Sequence, residues 1–146
     1  MKGNTSMTRN STQIITGLRA WADGSSTDRA AVELLITHDV WLHRSDFLDL
    51  CVFDAPAAGL TFIDWEPLDH ALERRQLPAS GSELAVLGIV ASLGCGHPVD
   101  LRDALLGLDA TNTAAVTTAM VTAAQHTDRV TIELAGRQLP DWSMEG

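Results

Sequence analysis

The chain is 146 residues long, 45% hydrophobic and 20% charged, with a formal net charge of −9 and two cysteines, Cys51 and Cys95. About 100–150 residues is the usual length of one domain, and this composition supports a packed core and excludes a wholly disordered or fibrous chain. No apolar run approaches the ~18–20 residues of a membrane-spanning helix, residues 1–13 lack the apolar stretch of a secretory signal, and two cysteines make no disulfide scaffold, so a cytoplasmic setting is expected.

Residues 1–11 are polar and aperiodic and read as a disordered leader, with Met7 as an alternative start. Ile14, Leu18 and Trp21 then recur at helical spacing, which makes Trp21 a core residue, and Gly24 stands where a left-handed helix cap is expected. Thr27 is the expected N-cap of a second helix that buries Ala31, Leu34, Leu35 and His38 and ends at His38 or Asp39. The stretch from Trp41 to Trp65 reads two ways. Ser45 and Asp46 start a short helix through Cys51 followed by an extended LTFID segment, or LCVF and LTFI pair as a hairpin; the first is preferred.

Asp64 is placed to cap a helix with Pro67 in its first turn and Leu68, Ala71, Leu72 and the stem of Arg75 inward, stopping by Leu77-Pro78. Ser80 and Glu83 have capping-box spacing, and Leu84, Val86, Leu87, Ile89, Val90 and Leu93 surround the helix they open, so it belongs at the centre. Gly94 is expected to end it. Asp100 caps a short helix with Leu101, Leu105 and Leu108 inward, and Asp109 or Thr111 opens an Ala-rich helix through Val116, Met120 and Ala123 to about His126. Val130, Ile132 and Leu134 alternate with polar residues as one short strand, before a loose tail unless Trp142 docks. The expected architecture is mainly α: a compact single-domain bundle of about six helices with at most two or three short strands. Its parts are the leader (1–11), the helical domain (12–127), and the strand with its tail (128–146).

Residues 28–126 carry AVELLITHDVWLHRSDF, FIDW and SGSELAVLGIVASLGCGHPVDLRDALLGLDATN. With Glu33, Leu34, Leu35, Trp41, Phe47, Ile63, Asp64, Trp65, Ser82, Glu83, Asp100, Leu101 and Asp109 as its motif residues, this part resembles small uncharacterised proteins of high-GC Gram-positive (actinobacterial) bacteria. The resemblance implies one domain in a bacterial cytoplasm. It brings no activity, cofactor or catalytic set.

The charge is uneven: +3 over residues 1–22, −9 over 23–73, +1 over 74–102 and −4 over 103–146. An acidic middle keeps the chain soluble, repels nucleic-acid phosphates and favours a basic partner. Cys95-x-His97 and the His38, His43 and Cys51 group match no established zinc spacing, so no metal or other cofactor is expected. Ser80-Gly81-Ser82 is no nucleophile elbow, and no phosphate-binding glycine loop is present. The last helix offers Asn112, Thr113, Thr117, Thr118, Thr122 and Gln125 but no basic residue, so nucleic acid is not expected as a partner.

These features favour a non-catalytic protein-interaction module, an adaptor, inhibitor or immunity-type subunit. It would bind the basic surface of another protein through Asp39, Trp41, Asp46, Asp49, Trp65, Glu66 and Asp69. A helical DNA-binding regulator and a small hydrolase using His38 or His43 are the alternatives. A homodimer through the apolar helix at residues 84–93 is a further expectation, and a membrane partner is not.

Overall fold

The computed structural model describes residues 10–136. Asn10, in an extended conformation, accepts the Thr12 backbone N–H at 2.8 Å and starts α1 (Ser11–Ala22), one residue inside the expected leader. The rest of that leader, the alternative start at Met7 and the docking of Trp142 lie outside the described residues. Ile14 and Leu18 are buried, while Trp21 is half-buried and packs against the core. Gly17 lets α1 approach closely, because a β-carbon there would lie 2.7 Å from the Thr61 backbone nitrogen. The left-handed cap expected at Gly24 is not formed; α1 ends on Asp23 in a right-handed conformation.

α2 (Ser26–His38) is capped by Ser25, not Thr27: the Ser25 hydroxyl accepts the Asp28 N–H at 3.2 Å. It ends on Asp39 at φ +61, a left-handed conformation that Asp tolerates better than most side chains. A 3-10 turn (Trp41–His43) leads into α3 (Ser45–Cys51). Both sequence readings of the next stretch prove partly right, because the chain changes from helix to strand at Cys51–Val52. β1 (Val52–Ala55) pairs antiparallel with β2 (Leu60–Ile63), in the register Val52↔Ile63 to Ala55↔Leu60. Gly59, at φ +71, makes the turn.

α4 (Trp65–Glu73) buries Leu68 and Ala71. Arg75 leaves the expected inner stripe, since it follows the helix end at φ +55 and is exposed. α5 (Gly81–Cys95) opens with the anticipated box: Ser80 Oγ accepts the Glu83 N–H at 3.2 Å and the Glu83 carboxylate accepts the Ser80 N–H at 3.0 Å. Its left-handed cap is Gly96 (φ +78), not Gly94. α5 is central as expected, with Val86, Leu87 and Val90 fully buried and with α2 and α4 packed against it.

α6 (Leu101–Leu106) is capped by Asp100, whose side chain accepts the Asp103 N–H at 3.2 Å. It meets the core through Ala104, so Leu101 and Leu105 are 51% and 44% exposed where they were expected inward. A helix this short touches its neighbour over barely one turn, and the smallest side chain faces in. α7 (Ala110–Ala123) starts at Asp109, which accepts the Asn112 N–H at 2.8 Å, and packs Ala115, Val116 and Ala119 on α2. Met120 points outward. No strand forms over residues 130–134: no neighbouring strand among the described residues offers hydrogen bonds, and Val130 and Leu134 are exposed.

Seven α-helices and one hairpin among the described residues thus form a mainly-α single domain around one core. None of these helices is long and apolar enough to cross a membrane.

Candidate protein-interaction site

The seven residues expected to meet a partner fall into two groups. Asp39, Trp41, Asp46 and Asp49 lie between the end of α2 and α3, and Trp65, Glu66 and Asp69 lie on α4. The two regions pack together. The Asp64 N–H donates to the Cys51 carbonyl at 2.8 Å, which ties the start of α4 to the end of α3.

Trp41 cannot anchor a partner, because its side chain is fully buried. Its indole N–H donates to the Glu83 carbonyl at 3.2 Å and its ring packs on Phe47 at a centroid distance of 5.8 Å. Above it lies the Arg44 guanidinium, 4.5 Å from the ring centroid and paired with Asp46 at 2.5 Å. Cation–π attraction and the ion pair hold Arg44 as a lid on the indole. Hydrogen bonding to Arg44 keeps the Asp46 carboxyl below the usual carboxylate range, helped by the Phe47 N–H. Asp46 therefore serves the fold. Asp39 is bonded to His43 at 2.6 Å, both side chains being exposed.

Trp65 is half-buried. It lies against Gly94, where any β-carbon would collide with the indole, and its ring centroid is 6.4 Å from that of Trp21, the planes inclined at 43°. One turn further along α4, Asp69 bonds to His97 Nδ1 at 2.6 Å, with the His97 side chain only 13% exposed. These contacts fasten α4 to the end of α5.

Three carboxylates at the α3–α4 junction, Asp49, Asp64 and Glu66, are exposed and have no salt bridge among the described residues. Glu66 lies in the first turn of α4, where the helix dipole favours negative charge. Asp64 is close enough to Cys51 to help burial push that thiol up to about 12. The junction is thus a place where negative charge accumulates without an internal counter-ion. Trp21 and Asp64 were absent from the sequence-based set. Trp21 occupies the final turn of α1, where a helix leaves the core, and that position was the available sign that its ring is only half covered.

The histidines and cysteines remain scattered. His97 is engaged by Asp69, and Cys95 is exposed, its thiol raised chiefly by desolvation. His38 Nδ1 is 3.1 Å from Asn112 Oδ1, while His43 is held by Asp39. Among the described residues no three His, Cys, Asp or Glu side chains are grouped to hold a metal ion. A cleft of about 500 Å³ lies between α1 and the hairpin, lined by polar groups such as Thr12, Thr16 and Thr61 with Asp54 as its titratable member.

No family model, no curated protein and no solved structure matches the chain.

Proposed function

We propose that the chain is a non-catalytic protein-interaction module of the bacterial cytoplasm, an adaptor, inhibitor or immunity-type subunit, that binds an arginine-bearing surface of a partner protein. The observation that carries this reading is the half-buried Trp21–Trp65 pair beside the exposed carboxylates Asp64 and Glu66, with Asp49 across the junction. A guanidinium is attracted to an indole face and pairs with a carboxylate through parallel N–H donors, so an aromatic surface edged by free carboxylates suits Arg. Tryptophan set in a packed surround is also the residue type that most often dominates binding energy. Fastening α4 through Gly94 and the Asp69–His97 bond presents the pair without a cost of ordering on binding.

The DNA-binding and hydrolytic alternatives have less support. Asn112, expected on a groove-reading face, is turned to His38, and among the described residues no hydroxyl or thiol is hydrogen-bonded to His38 or to the His43–Asp39 pair as a nucleophile would be.

The test is affinity recovery from the native host with wild type and the D49K/E66K variant, both checked by circular dichroism. Recovery should fall by about tenfold or more in the variant and decline with added salt in wild type. Equal recovery by a folded D49K/E66K chain overturns the proposal.

A further inference from the structure

α2 and α7 run antiparallel and are clipped together at both ends. At one end the Ser26 hydroxyl donates to the Ala123 carbonyl at 3.0 Å, and at the other His38 Nδ1 lies 3.1 Å from Asn112 Oδ1. Between the clips is a groove of about 230 Å³ whose floor is core, since Leu34, Ala115 and Ala119 are buried. Its rim is hydroxyl: Thr111, Thr118 and Thr122 follow one stripe of α7, and Thr37 lines the α2 side. None of these four hydroxyls has a hydrogen-bond partner among the described residues. The chain itself lies over the groove. After α7 it reverses at Gln125 (φ +67), and Leu134 closes one side. This strap is loosely held. The N–H groups of Arg129 and Val130 bond only within the turn, to the His126 carbonyl. Residues 131–136 make no hydrogen bond or ion pair among the described residues, and Leu134 stays 53% exposed.

We propose that the α2–α7 groove is a recognition site for an extended, leucine-bearing segment of a partner protein, and that the chain holds it closed with its own residues 127–136. The chemistry of the occupant is read from what already lies there: a leucine on a non-helical segment, set against a floor of small side chains. An extended segment also carries free backbone N–H and C=O groups, which threonine hydroxyls can bond as acceptors and donors. The strap uses the floor and leaves that rim unused, so a better-matched segment has more to gain than the strap does. Thr111 and Thr122 stand eleven residues apart on α7, about 16 Å, which spans about five residues of extended chain. Being tethered, the strap competes at an effective concentration in the millimolar range, so its loose contacts keep the groove shut against a free segment of equal affinity. The two clips and the buried floor belong to α2 and α7 themselves, so the groove persists when the strap leaves. This surface is separate from the α3–α4 junction and does not depend on it.

Fluorescence anisotropy tests this, with a labelled synthetic copy of residues 127–136 as the probe and the full chain as titrant. L134E, changed at a position half in solvent, should release the strap while keeping the circular dichroism spectrum and urea midpoint of wild type. It should bind the probe about tenfold or more tightly than wild type, whose groove is occupied in cis. A probe carrying the same leucine-to-glutamate change should not bind. T118W, at an exposed rim position, should abolish probe binding when added to the L134E chain. Equal binding to wild type and L134E overturns the inference, as does no binding to L134E at millimolar concentration, or binding that survives T118W. A large fall in the urea midpoint of L134E overturns it too, because the strap would then be part of the fold.

Discussion

The indole of Trp65 occupies the space that a side chain at position 94 would need. Gly94 lies inside α5, one residue before its end, and its bare backbone lets α4 and α5 meet through a ring. G94A should destabilise the chain by about 1–3 kcal/mol, the usual cost of overpacking a settled contact. It should also alter tryptophan fluorescence, since the displaced ring lies beside Trp21. Gly96 makes the contrasting case. A β-carbon there meets nothing within 4 Å but would be held at φ +78, so G96A should cost about 1–2 kcal/mol with the fluorescence unchanged. Denaturant titrations of both variants, read by fluorescence, separate the two causes; equal spectra for G94A and wild type would count against the Trp65 contact.

The two thiols should differ sharply in reactivity. Cys51 is fully buried, its Sγ 3.5 Å from the Phe47 carbonyl oxygen, with the thiol pushed up to about 12 by burial and then by Asp64. Cys95 is exposed, though desolvation raises its thiol as well. The thiolate is the reactive form. Native protein treated with a thiol reagent near neutral pH should release one equivalent slowly, faster as pH rises, and the second only on unfolding. Two equivalents released in parallel from folded protein would contradict the burial of Cys51.

Acid should weaken the fold through Glu83 and Asp46. Glu83 is held below the usual carboxylate range by the Ser80 backbone N–H and then the Ser80 side chain, and Asp46 by Arg44. A carboxyl depressed in the folded state stabilises it above the unfolded value, near pH 4, and loses that contribution as pH falls through the folded value. Urea midpoints should therefore decline below about pH 4, and less steeply in E83Q/D46N. S80A should cost about 0.5–2 kcal/mol at neutral pH as the cap is lost. The Arg44–Asp46 pair is worth little by itself, because Asp46 is 45% exposed. Identical acid slopes for E83Q/D46N and wild type would show that other groups govern the decline.

What the sequence disclosed follows from the range of each interaction. The Ser80–Glu83 box and the Asp100 and Asp109 caps were legible because a cap and its partner lie within one helical turn. Gly94 and Gly96 could not be told apart as terminators, since the role of Gly94 depends on Trp65, nearly thirty positions earlier. Leu101 and Leu105 look like an inward stripe on any helical wheel; their exposure depends on how α6 is set against α5. Trp41, flanked by acids, could be read from the sequence as a surface anchor or as core, and the tertiary bond to the Glu83 carbonyl decides for core. The acidic α3–α4 face was visible as a charge run, but which carboxylates remain free depended on Arg44 and His97, whose bonds to Asp46 and Asp69 cannot be read from spacing.

The contact between Gly17 and Thr61 carries a consequence for the order of folding. The face of β2 that receives α1 exists only after β1 and β2 have closed through the turn at Gly59, a local event spanning few residues. Gly17 and Thr61 are 44 positions apart in the chain, so their meeting requires a long loop to close. The first of the described helices therefore completes its docking only after the hairpin has closed, with α2 as the other surface it packs on until then.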